Sequence, residues 1–157
     1  MSWIILNQNT DGRYFATVTQ SIAIDVSASV VWKTISNFVG LTEWAEGAKK
    51  TEFLSKTKHG IGAARKISFA DGSSVIEYAV GWQVGKQVSY IATSGLPLSG
   101  YHATLSISQK EKTRLSWTSF LISASSDRKE FEDFLSSLES FYASSLKNLK
   151  AKLEKAS

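Results

Sequence analysis

Residues 127–154, DRKEFEDFLSSLESFYASSLKNLKAKLE, constrain the fold more than any other stretch of the chain. Phe131, Phe134, Leu135, Leu138, Phe141, Tyr142, Leu146, Leu149 and Leu153 recur at intervals that put them on one helical stripe. Asp127 followed by Glu130 has the outline of a capping box. At ~1.5 Å per residue such a helix is about 40 Å long, comparable with the length of a whole domain. An apolar stripe of that length needs an apolar surface to lie on. The rest of the chain has to supply it, and the far end, around Leu149 and Leu153, is expected to fray.

The surface expected is a sheet. From Thr51 to Ile122 six alternating segments follow one another: TEFLSK, AARKISF, SVIEYAV, QVSYIAT, YHATLSI and RLSWTSFLI. The breaks between them, KHGIG, ADGS, VGK, SGLPLSG and SQKEKT, carry turn residues, with the single proline, Pro97, in the longest. Upstream, RYFATVTQSIAIDV puts Val18, Ile22, Ile24 and Val26 on one face and Thr17, Thr19 and Asp25 on the other. Whether residues 3–6 add a further strand is left open by their short apolar run. Between the first strand and the rest, Ser27 is placed to cap a helix carrying Val31, Ile35 and Phe38. Gly40 ends it, and a second short helical turn is expected to hold Leu41 and Trp44. The order is strand, two short helices, six strands, long helix. That is an α+β domain, residues 1–157, with a seven-stranded antiparallel sheet covered on one face by the last helix.

Composition fits a soluble globular chain: 43% of 157 residues are hydrophobic and 20% charged. No apolar run reaches the ~18 residues of a membrane-spanning helix, and the N-terminus lacks a signal-peptide pattern, so a cytoplasmic protein is expected. The net charge of +4 raises a nucleic-acid partner. Its lysines are scattered, and those near the end complement a helix C-terminus, so none is expected. Without cysteine, and with only His59 and His102, no metal site or cofactor is expected. No nucleophile elbow, catalytic triad spacing or phosphate loop is present, so no residue is assigned as catalytic.

Two charges sit inside apolar strands. In AARKISF, Ala63, Arg65, Ile67 and Phe69 share a face while Lys66 and Ser68 take the wet one, so Arg65 points inward. There it needs an acidic partner, water or a ligand anion. Glu77 lies in a strand apolar on both sides, and parity does not place it. A two-residue Asp71–Gly72 hairpin pairs Arg65 with Tyr78 and sends Glu77 out. A three- or five-residue loop pairs Ile67 with Glu77 and leaves Arg65 diagonal to it. Tyr90, Tyr101 and Trp117 fall on the inward face, and a buried phenol asks for a hydrogen-bond partner. Trp32 and Trp44 are read as packing residues, and His102 as outward-facing.

The words SASVVWKTISNFVGLTEW, GIGAARKISFADGSSVIEY, VSYIATSGLPLSGYHATLSI and TRLSW, in this order and spacing, resemble the START-like (SRPBCC) helix-grip superfamily. Within it the likeness is to the polyketide cyclase/dehydrase and lipid-transport group, over roughly residues 16–150. The resemblance implies a curved sheet gripping the long helix, with a cavity for small hydrophobic molecules between them, and it favours Glu77 on the inner side with Arg65. The residues then expected against a ligand are Arg65, Phe69, Glu77, Tyr90, Tyr101, Trp117, Phe131, Leu135 and Leu138. The expected function is non-enzymatic binding or transport of a small hydrophobic or lipid-like molecule bearing one polar or anionic group, by a monomer or weak homodimer. A cyclase/dehydratase-like enzyme and a protein-interaction module using the long helix are the alternatives.

Overall fold

The structure, a computed structural model, describes residues 3–157. Its strands follow the alternation in the sequence. β8 (Thr113–Ser123) shows this best: Thr113, Leu115, Trp117, Ser119, Leu121 and Ser123 are buried, whereas Arg114, Thr118 and Phe120 are exposed. The other strands are β1 (Trp3–Gln8), β2 (Tyr14–Ile24), β3 (Ala48–Phe53), β4 (Ala64–Phe69), β5 (Ser74–Gln83), β6 (Gln87–Ser94) and β7 (Leu98–Gln109). They form one antiparallel sheet in the order β1-β2-β8-β7-β6-β5-β4-β3. The seven strands expected are present, and β1, the segment left open, adds an eighth at one edge by pairing with β2. Register shifts in β3, β5 and β7 bend the strands and help the sheet curve.

The two short helical segments also form. In α1 (Ala28–Ile35), Val31 and Ile35 are buried, and Phe38 is buried just beyond its end. Ser27 occupies the cap position, but its hydroxyl meets that of Ser29 at 3.0 Å and caps no backbone N–H. A 3-10 turn at Gly40–Glu43 buries Leu41, with Trp44 buried directly after it.

The long helix α2 (Arg128–Ala156) lies on the inner face of the sheet. Its buried residues are Phe131, Leu135, Leu138, Tyr142, Ser145, Leu146, Leu149 and Leu153. Asp127 caps it by accepting the Glu130 N–H at 3.0 Å. The C-terminal half is docked, contrary to the fraying expected. Ser145 Oγ accepts the Glu46 N–H at 2.9 Å, and Asn148 Nδ2 donates to the Trp44 carbonyl at 3.2 Å. Lys150 Nζ donates to the Ala23 carbonyl at 2.8 Å, and Glu154 accepts the Asp25 N–H at 2.9 Å. Apolar spacing shows nothing of these polar ties. Among the described residues no helix is long and apolar enough to cross a membrane.

Because Leu135 is wholly enclosed while Phe134 is only half-buried, the two neighbours should respond differently to truncation. Leu135→Ala should lower the unfolding free energy by about 2–5 kcal/mol. Phe134→Ala should cost less, and Lys147→Ala, on the exposed face, should stay within about 0.5 kcal/mol. Denaturant midpoints would check the order.

Candidate functional site

The site begins at the β4–β5 hairpin. Phe69 N donates to the Ser73 carbonyl at 2.9 Å and Gly72 N to the Phe69 carbonyl at 3.1 Å, closing a loop of residues 70–72. Gly72 takes φ +89°, the left-handed conformation this turn needs. The odd-length loop keeps Arg65 and Glu77 on one side of the sheet. Their register differs from the diagonal expected: Ile67 pairs with Val75, so Arg65 stands directly opposite Glu77. The loop closes two residues earlier along β5 than the diagonal arrangement required.

Both charges are buried, at 3% and 5% exposure. Arg65 Nε donates to Glu77 Oε1 at 2.9 Å, and Nη2 lies 2.8 Å from the same oxygen. Nη1 donates to the Phe38 carbonyl at 2.7 Å. The guanidinium carbon lies 3.9 Å from the Phe38 ring centroid and 5.0 Å from that of Tyr90. Burial pushes the Glu77 carboxyl up, and the charge and hydrogen bonds of Arg65 pull it back.

Beside the pair runs a second polar group. Trp117 Nε1 donates to the Tyr90 hydroxyl at 2.8 Å. The Tyr101 hydroxyl is bonded to that of Tyr142, which is bonded in turn to Ser119 Oγ. Trp117 and Tyr142 stack with ring centroids 4.0 Å apart. Sequence reasoning assigned no role to Ser119 or Tyr142. The signals were there: Ser119 shares the parity of Trp117, and a tyrosine on a buried stripe needs a partner.

Above these groups lies a cavity of about 400 Å³ between the sheet and α2. Seven of the nine residues expected against a ligand line it: Arg65, Phe69, Glu77, Tyr90, Tyr101, Trp117 and Leu138. Phe131 and Leu135 do not. They point from α2 into the packed core, and the wall is taken by Phe134, Ser137 and Phe141, which share Leu138's side of the helix. Leu41, Ile67, Val75, Leu96 and Pro97 complete the apolar lining. A furrow of about 520 Å³ at the β7–β8 turn is walled by exposed Lys110, Glu111, Lys112 and Arg114 and lacks aromatic lining. Among the described residues no group of three His, Asp or Glu side chains is placed to hold a metal ion.

The mouth lies between the β4–β5 turn, with Asp71 and Ser73, and the β6–β7 loop, with Gly95, Leu96 and Pro97. Gly95 fixes how closely these approach. It has φ +95°, and a Cβ there would lie 2.0 Å from the Ser74 carbonyl oxygen. Gly85 also has positive φ, at +78°, but open space around it. Gly95→Ala should therefore destabilise the protein clearly more than Gly85→Ala, a difference thermal unfolding of the two variants would read.

Burial, and next the charge of Glu77, pushes the Tyr101 phenol up to about 12. Burial likewise holds Tyr90 and Tyr142 well above the usual range. An acid whose folded pKa is raised keeps its proton in the native state while the unfolded chain ionises, so stability falls as pH climbs from about 10. Tyr101 alone should remove about 2 kcal/mol between pH 10 and pH 12. Denaturant titrations across that range should show the fall, reduced in Tyr101→Phe. Phenolate absorbance from these three tyrosines should appear only as the fold opens.

The family described as polyketide cyclase / dehydrase and lipid transport matches residues 16–154, most of the chain. No curated protein matches. Among solved structures, an uncharacterised protein from Bacillus thuringiensis superposes with a TM-score of 0.73 at 21% identity, over 87% of this chain and 98% of its own. A Thermobifida fusca protein gives a TM-score of 0.76 at 17% identity, over 88% and 93% of the two chains. Ginseng major latex-like protein 151, from Panax ginseng, gives 0.69 at 11% identity, over 88% and 97%. At these identities the likeness is one of fold: the same helix-grip arrangement of an open antiparallel sheet around a long C-terminal helix. With the family match over most of its length, the chain belongs to the polyketide cyclase/dehydrase and lipid-transport family of the START-like superfamily.

Proposed function

We propose that the protein binds a small, mostly apolar molecule in the cavity between the sheet and α2 and carries it unchanged. The observation that carries this reading is the wall itself. Six aromatic side chains, Phe69, Tyr90, Tyr101, Trp117, Phe134 and Phe141, surround about 400 Å³ with one buried ion pair among them. Small-molecule pockets run from ~300 to ~1,000 Å³, with apolar walls and a few placed polar groups. A cavity of this size also favours a ligand carrier over a protein-interaction module. The lipid-transport part of the family description supports the same reading.

Acid/base chemistry of the cyclase or dehydratase kind is the second reading, and one observation favours it. Glu77 is a carboxyl in the cavity wall whose pKa burial raises and Arg65 pulls back, the kind of placed group that acid/base chemistry requires. Native mass spectrometry of protein purified from its own host separates the two. A carrier should arrive with a non-covalent adduct that is released chemically unchanged. Turnover of that adduct, lost in Glu77→Gln, would establish the enzyme, and protein that always arrives empty would count against both.

A further inference from the structure

Arg65 is held at all three of its nitrogens, with two of its five N–H groups left over. Each of its three nitrogens has a protein oxygen as partner, two on Glu77 Oε1 and one on the Phe38 carbonyl, and aromatic rings cover its flanks. Glu77 is engaged on one oxygen alone. Oε1 takes both Arg65 contacts, whereas no donor among the described residues pairs with Oε2, on a side chain that is nearly enclosed and forms part of the cavity wall. The phenols leave little else free. Tyr90 receives the Trp117 N–H, and Tyr101 is bonded to Tyr142. At the mouth stands a second carboxylate, Asp71, held below the usual range by hydrogen bonds from Ser73. The wall thus carries one cation, already neutralised, and two anions.

We infer that the cavity selects a neutral ligand bearing a hydroxyl group, which donates to Glu77 Oε2, and that it disfavours carboxylates. This rests on the binding reading above. An entering carboxylate would face the Glu77 and Asp71 carboxylates and meet an Arg65 whose charge Glu77 already neutralises. An alcohol or phenol meets an unpaired acceptor in apolar surroundings, where a hydrogen bond to a charged group discriminates strongly against a ligand lacking the donor.

Three probes of one shape test this by calorimetric titration: 2-naphthol, 2-methoxynaphthalene and 2-naphthoate. The native protein should bind 2-naphthol at least about tenfold more tightly than either of the others, the effect of one hydrogen bond to a charged partner. Equal affinity for 2-naphthol and its methyl ether would overturn the selection by Oε2 and leave the binding reading standing. Tightest binding of 2-naphthoate would overturn it in favour of Arg65 as the anchor. Failure of all three to bind would count against the binding reading itself, and the inference would fall with it.

Glu77→Gln supplies an independent arm. The Arg65 N–H groups require the amide oxygen on their side, which turns the NH2 toward the cavity in place of Oε2. The preference for 2-naphthol over 2-methoxynaphthalene should then fall by about tenfold. Near-UV circular dichroism would establish that the variant keeps its fold, and the native series decides the question even where it does not. An unchanged preference in a folded variant would overturn the assignment.

Discussion

The contact between the apolar stripe of α2 and the inner face of the sheet is what everything else in this structure depends on. An open antiparallel sheet has two faces, and here one of them carries Val18, Ala103, Leu105, Leu115 and Leu121. Only α2 is long enough to cover such a face from end to end. The two halves of the helix do this differently. The C-terminal half is pressed down by Leu146, Leu149 and Leu153 and tied by Ser145, Asn148, Lys150 and Glu154 to the segments around it. In the middle, Tyr142 lies flat on Trp117, and this stack separates the tight half from the open one. Toward the N-terminus Phe134, Leu138 and Phe141 form a roof, with Phe141 resting against Phe69 and Trp117 of the sheet at ring-centroid distances of 6.1 and 5.7 Å. The cavity is the space left there.

A buried ion pair in such a place is not explained by stability, since desolvation commonly offsets its attraction. Its geometry suggests what it does for the fold. Arg65 joins β4 to β5 through Glu77, to the end of the α1 segment through the Phe38 carbonyl, and to β6 through the Tyr90 ring. One side chain therefore relates four separate pieces of chain around the polar side of the cavity. Removing its counter-ion leaves an enclosed cation whose remaining protein partners are one carbonyl and two rings.

Much of this was legible in the sequence, because it follows from period and parity. The stripe of α2, the alternation of β8 and the inward face of Arg65, Tyr90, Tyr101 and Trp117 are all direct consequences of side-chain direction along regular elements. The position of Glu77 was not, because its strand is apolar on both faces and the answer lay in where one hairpin closes. Phe131 and Leu135 were misplaced for a related reason. A helical stripe spans a wide arc, and spacing does not say which edge of it borders empty space and which meets the sheet. The polar ties of the C-terminal half lay further out of reach, since they join α2 to residues more than 90 positions away in the chain.

The cavity wall divides its labour between two kinds of element. Its hydrogen-bonding groups, Arg65, Glu77, Tyr90 and Tyr101, stand on strands that are locked to their neighbours on both sides. Its volume is set largely by Phe134, Ser137, Leu138 and Phe141 on one helix face, and by the Gly95–Pro97 loop. A change of helix side chain resizes the chamber without moving its polar groups, and a change in the polar groups need not resize it. Among proteins that share this fold at low sequence identity, that separation lets the shape of a guest and the chemistry that holds it diversify as independent characters.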